Sequence, residues 1–115
     1  MRRFSQIKLD PRERKAINAF SRRLRAALGK ELVSIVLFGS RARGDARKDS
    51  DIDILVLIRR HTLRALGRVA KVSSDVWWDY GVLFSTVTYD LEDQEKNIAM
   101  GSSLFESVAT EGIRI

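Results

Sequence analysis

Residues 39–53 read GSRARGDARKDSDID, from Gly39-Ser40 through Gly44 to Asp51-Ile52-Asp53, and they sit between two apolar runs. The run before is Leu32-Val33-Ser34-Ile35-Val36-Leu37-Phe38, and the run after is Ile54-Leu55-Val56-Leu57-Ile58. Each is short and apolar at nearly every position, the pattern of strands buried on both faces. Successive side chains of a strand point to opposite faces, so if Asp51 opens the second strand, Asp51 and Asp53 project to one side. Two carboxylates held together repel, and a divalent cation is the usual relief. A Gly-Ser turn upstream offers amide hydrogens and a hydroxyl to phosphate oxygens, more so if Ser40 to Arg43 forms a helical turn. Metal-holding carboxylates that face a phosphate cradle point to nucleotide chemistry.

Working outward, Asp10-Pro11 reads as an N-cap and first helical residue. Ile17, Phe20, Leu24, Ala27 and Leu28 then recur at helical spacing, and Gly29 supplies the stop. Thr62 is suited to cap a second helix whose apolar stripe reads Leu63, Leu66, Val69, Ala70 and Val72. The pair Trp77-Trp78 is expected at an irregular bend with both rings buried; an exposed anchor or base-stacking platform is the alternative. A third strand is expected over Val82–Tyr89, followed by an acidic segment from Asp90 to Glu95. Ser103-Leu104-Phe105-Glu106 matches a capping box for a last helix ending near Gly112, with residues 113–115 extended. The fold class that follows is α/β (α+β), a small mixed β-sheet flanked by helices, in one domain spanning residues 1–115.

Composition narrows the function classes. The 115 residues are 44% hydrophobic and 31% charged, ordinary for a globular chain. With no cysteine and a single histidine, His61, neither disulfides nor a thiolate or histidine zinc site is expected. No apolar stretch approaches the roughly 20 residues that span a bilayer, and the basic N-terminus is not followed by an apolar signal core. A cytoplasmic protein is the expectation. The net charge of +6 divides unevenly, with +12 in residues 1–71 and −6 in residues 72–115. A basic half suits phosphate-rich ligands or an acidic partner, although a solvated helix face explains it as readily.

Gly39-Ser40-Arg41-Ala42-Arg43-Gly44 followed by Ser50-Asp51-Ile52-Asp53 resembles the signature of the DNA-polymerase-β-like nucleotidyltransferase superfamily. Within it, the similarity is to the small minimal nucleotidyltransferases. It extends over residues 10–115, including the C-terminal Glu111-Gly112-Ile113-Arg114-Ile115. The resemblance implies transfer of a nucleoside monophosphate from an NTP, expected to be ATP, with release of pyrophosphate. It implies Asp51 and Asp53 as catalytic and metal-holding residues for Mg2+ or Mn2+. It also implies nucleotide contacts from Gly39, Ser40, Arg41, Arg43 and Ser50. The implied partner is a helical protein of the HEPN type, as in toxin–antitoxin pairs, or a second copy of the chain.

Two departures qualify that picture. The superfamily pattern carries a third carboxylate on the strand after the intervening helix, and the aligned position here is Ser85. A hydroxyl neither holds a cation nor takes a proton as a carboxylate does; Asp79 or Asp90, and more remotely Asp75, are the available substitutes. The chain also supplies no helical domain to grip base and acceptor. A nucleotide-binding or docking module with weak or absent catalysis is therefore the competing expectation. A nucleic-acid-binding role for the basic helix rests on charge without a motif.

Overall fold

The computed structural model describes residues 3–47 and 51–115. Helix α1 (Pro11–Leu28) begins where the sequence places it. The Asp10 carboxylate accepts from the Glu13 amide, and the Glu13 carboxylate accepts in turn from the Asp10 amide. Its inner face is Ala16, Ile17, Phe20, Leu24 and Leu28, and Gly29, at φ 53°, ends it. Strand β1 (Leu32–Phe38) follows, then the short helix α2 (Gly39–Arg43), strand β2 (Ile52–Ile58), helix α3 (Leu63–Tyr80) and strand β3 (Phe84–Asp90). Helices α4 (Leu91–Ala99) and α5 (Ser103–Glu111) and the two-residue strand β4 (Ile113–Arg114) complete the chain.

The sheet order is β3-β2-β1-β4. β1 is antiparallel to β2 and to β4, whereas β3, reached through α3, runs parallel to β2. The sheet is therefore mixed, as expected for this fold class. One face is closed by α1 and α3. Ile52, Ile54, Val56 and Ile58 of β2 meet Ile17, Phe20, Leu24, Val69 and Val76 there, and Phe20 stands edge-on to Phe84 at 5.1 Å. The other face carries a smaller cluster of Val36, Leu55 and Phe105, with Phe38, Val87, Tyr89 and Val108 against it. Odd-numbered residues of β2 belong to that open face, and so do Asp51 and Asp53.

Several sequence expectations are corrected. Helix α3 buries Ala65, Val69, Val72 and Val76, one residue per turn or so, while Leu63, Leu66 and Ala70 face outward. Trp77 and Trp78 are neither at a bend nor buried: the helix continues through them to Tyr80, and they are 53% and 84% exposed. A single helix offers its core only the 65-69-72-76 stripe, so both indoles fall outside it. The third strand begins at Phe84 rather than Val82, and the acidic segment is helical because Asp90 caps α4. The last helix has Ser102 as its N-cap, so Ser103 is already helical and the anticipated capping box does not form. No helix among the described residues is long and apolar enough to cross a membrane.

Arginines explain part of the charge asymmetry. Arg14 donates to the Phe4 and Ile7 carbonyls and lies over the Phe4 ring, Arg25 reaches the C-terminal Ile115 carbonyl, and Arg68 reaches the Ala27 carbonyl. These cations tie segments together instead of forming a free basic surface. Packing and exposure give a paired expectation for stability. Phe20→Ala is expected to cost about 3–5 kcal/mol in urea unfolding, the range for a deleted core aromatic. Trp78→Ala, by contrast, is expected to stay within about 0.5 kcal/mol of wild type for the isolated chain.

Candidate active site

The site lies where β1 hands over to α2 and where β2 begins. Gly39 opens α2 at φ 74°, a backbone conformation that side-chain-bearing residues rarely adopt. A Cβ placed there would lie 2.3 Å from Asp53 Oδ2 and 3.1 Å from its Cγ. The α2 backbone thus rests directly against the carboxylate, and glycine is demanded both by φ and by space. Ser40 follows on the same turn, whose carbonyl accepts from the Gly44 and Asp45 amides.

Asp53 occupies the second position of β2, between Phe38 of β1 and Ser85 of β3 in register. It is partly buried, while Asp51, just before the strand, is exposed. Burial, followed by the neighbouring Asp51 charge, pushes the Asp53 carboxyl above its ordinary range, and the Arg43 cation opposes that shift. The site is consequently short of positive charge at the point where two carboxylates converge. That deficit, with oxygen donors only, fits a hard divalent cation.

The two arginines of α2 do different things. Arg41 makes a double-pronged ion pair with Glu13 of α1, Nη2 to Oε2 at 3.0 Å and Nη1 to Oε1 at 3.3 Å, with both side chains nearly buried. It braces α2 against α1. Arg43 is half-exposed and is held by Glu111 of α5 (3.0 Å) and Asp45 (3.2 Å), contacts that raise its already high pKa. It keeps a permanent positive charge within the field of Asp53. Ser50 lies outside the described residues.

Ser85 stands beside Asp53 across the parallel pair. The substitute acids are engaged elsewhere. Asp79 pairs with Arg23 at 2.7 Å, and Asp75 pairs with Lys71 at 2.7 Å. Asp90 lies at the far end of β3, roughly 16 Å along the strand from Ser85 at about 3.3 Å per residue. There it caps α4 and accepts from the His61 amide, hydrogen bonds that hold its carboxyl below the ordinary range. His61, Asp90 and Asp93 bring ligand-type atoms within 4.8 Å of one another. The capping hydrogen bonds and the 2.6 Å His61–Asp93 contact account for that group.

Glu13 and Glu111 were not identified from sequence as site residues. Glu13 is visible there only as the N3 partner of the Asp10 cap. Its grip on Arg41 depends on the packing of α1 beside α2. Two cavities flank the site without containing it. One of about 380 Å3 lies behind α2 beside Glu13 and Arg41, and one of about 410 Å3 runs along the open sheet face over Leu55 and Leu57. Asp51 and Asp53 line neither of these two.

Comparison with known proteins agrees with this geometry. Residues 14–104 match the family model of the nucleotidyltransferase domain. The chain is 34% identical over 74 residues to MJ0141 of Methanocaldococcus jannaschii, named as a candidate protein adenylyltransferase, in a match covering 64% of this chain and 75% of that protein. MJ1305 of the same organism, with the same designation, is 33% identical over 81 residues, covering 67% of this chain and 54% of its own length. Among solved structures, a toxin–antitoxin with AMP-PNP superposes with a TM-score of 0.55 at 25% identity, over 84% of this chain and 69% of that one. A mutant of the toxin–antitoxin MntA-HpeT gives 0.51 at 25% identity, over 94% and 72%. The chain belongs to the nucleotidyltransferase domain family.

The strain and charge at this site give two expectations. Gly39→Ala forces a methyl into the Asp53 carboxylate at positive φ and is expected to cost roughly 1–3 kcal/mol in denaturant unfolding. Because the folded-state pKa of Asp53 is raised, its ionisation costs stability as pH climbs from 3.8, its ordinary value, through the raised one. Asp53→Asn is therefore expected to be more stable than wild type at neutral pH, with the gap closing below pH 3.8 in a pH series of unfolding curves.

Proposed function

As the premise is a nucleotidyltransferase-family chain, we propose that it binds ATP with Mg2+ (or Mn2+) and transfers AMP to an acceptor on a protein partner. The observation that carries this reading is the seating of Gly39 on the Asp53 carboxylate, with Asp51 on the same side and Arg43 beside it. The names of the matched relatives, and the AMP-PNP bound to a structural neighbour, support adenylyl transfer over other nucleotides.

In the proposed reaction an acceptor hydroxyl attacks the α-phosphorus, the bond to the β-phosphate oxygen breaks, and pyrophosphate leaves. Asp51 and Asp53 would hold the divalent cation, which when bound supplies charge neutralisation to the phosphates. Gly39 and Ser40 would offer backbone amides and a hydroxyl to the phosphates, while the missing Cβ at Gly39 makes room for the Asp53 carboxylate. Arg43 balances charge on the triphosphate side, and Arg41 keeps the turn in position through Glu13. Ser50 is assigned to the nucleotide by resemblance alone. Asp53, with its raised proton affinity, is the carboxylate suited to accept the hydroxyl proton. A helical toxin-like partner of the HEPN type would cover the open edge and present the acceptor.

A second reading is favoured by Ser85. With a hydroxyl beside Asp53, the chain binds nucleotide and docks its partner but transfers slowly. Calorimetric titration with Mg-ATP tests the site without knowledge of the acceptor. Magnesium-dependent binding is expected for wild type and is expected to be lost in Asp51→Asn/Asp53→Asn, and equal binding by the two would sink both readings. Ser85→Asp separates them. If transfer is limited by the missing acid, it should raise the rate of metal-dependent AMP incorporation at least about a hundredfold, the low end of a general-base effect. An unchanged rate favours two carboxylates as sufficient.

A further inference from the structure

The outer face of α3 carries a second apolar stripe, diametrically opposed to the one that packs on the sheet. Leu63 and Leu66 lie at its N-terminal end, and Trp77 and Trp78 at its C-terminal end. All four are exposed, Leu63 and Trp78 at 91% and 84%. Between them Gly67, Ala70 and Ser74 continue the same face at three- and four-residue spacing, and all three are exposed. These positions place no charged residue on the stripe over four turns of helix. For an exposed surface that is a marked departure from the arginine- and lysine-rich outer face of α1.

The stripe is bulky at both ends and small in the middle, so it is complementary to itself run in reverse. Two such helices crossing antiparallel about Ala70 would set the tryptophans of one against the leucines of the other. Their backbones would approach over Gly67, Ala70 and Ser74. The charges flanking one side of the stripe are ordered in the same sense: Arg64 and Lys71 in the first half of α3 and Asp75 in the second, while Arg68 and Asp79, further round the helix, are held by the Ala27 carbonyl and Arg23 of α1. A two-fold axis perpendicular to the helix pair brings this flank beside itself in reverse, basic half against acidic half. Arg64 of one copy then lies level with Asp75 of the other, whose partner within its own chain is the exposed Lys71.

We propose that this chain forms a symmetric dimer through antiparallel packing of α3 on α3 of a second copy. The interface leaves α2, Asp51 and Asp53 untouched, so each copy keeps its own site and the open sheet edge beside it. The proposal is independent of the transfer reaction and stands or falls separately from it.

Three readouts test it on the intact chain. Sedimentation equilibrium of wild type is expected to give twice the chain mass, with association weakened by salt as the flanking charges are screened. Ala70→Arg sets two cations against each other at the axis and is expected to weaken association at least about a hundredfold, leaving monomer. Because the chain has no cysteine, Ala70→Cys reports proximity directly. Mild oxidation is expected to give a disulfide-linked dimer, while Ala26→Cys on the exposed face of α1 stays uncoupled. The two tryptophans are the only ones in the chain. Their emission should shift to shorter wavelength as concentration rises through the dissociation constant. A wild-type chain that remains monomeric would overturn the proposal and leave the stripe to a different protein. A dimer that survives Ala70→Arg, or cross-links equally at Ala26, would overturn it by placing the contact on another face.

Discussion

The contact between Gly39 and the Asp53 carboxylate is the constraint around which this end of the molecule is arranged. A carboxylate at the second position of a central strand is partly desolvated, and a second one two residues earlier raises the cost of its charge. Such an arrangement persists only if the backbone over it is fixed from elsewhere. α2 is too short to hold itself, and two ion pairs do it instead. Arg41 is gripped by Glu13 on α1, and Arg43 by Glu111 on α5. The Glu13–Arg41 pair is nearly buried, so removing either partner would strand a charge, and its contribution lies in orientation more than in net stability. The glycine, two carboxylates and two arginines therefore form one mechanical unit whose anchors lie on opposite sides of the sheet.

The unequal treatment of the two sheet faces explains why so small a chain can carry an open site. α1 and α3 close one face completely and bury the even-numbered residues of β2 together with Phe20 and Phe84. Nearly all the hydrophobic stabilisation is gathered there. The opposite face has only Phe105 and Val108 of α5 over Val36 and Leu55, with a groove running past Leu57 towards Ile98. Placing Asp51 and Asp53 on the thinly covered face leaves Asp51 exposed and Asp53 only partly buried. Adding further helices over that face would strengthen the core and shut the site.

Much of this was legible in the sequence because it is local. The D-P-x-E start of α1, the apolar runs of β1 and β2, the Thr62 cap and the Gly39-to-Asp53 spacing each follow from residues close together in the chain. The pairing of Ser85 with Asp53 came only with the parallel register of β2 and β3. What escaped depends on which side of an element meets the rest of the protein. Leu63, Leu66 and Ala70 looked like core together with Val69 and Val72, because all five recur at helical spacing, and only the two valines are buried. α3 in fact has two apolar stripes, and only the Ala65-Val69-Val72-Val76 one fits against α1 and the sheet. Small β-branched residues allow the helix to approach the strands closely, which leucine and tryptophan would not. The roles of Glu13 and Glu111 were likewise invisible, since each is made by a contact between residues distant in sequence.

Ser85 sets the limit on what the site can do unaided. A nucleotidyl transfer needs a cation to neutralise phosphate and a base to take the acceptor's proton, and a third carboxylate lets different groups serve the two needs. On the proposed reading Asp53 would serve both needs. Burial and the Asp51 charge raise its proton affinity. Arg43 pulls in the opposite direction and keeps the proton from being held too firmly. On the proposed reading, base and cation duties that fall on one carboxylate would favour an acceptor held against the site over a freely diffusing one.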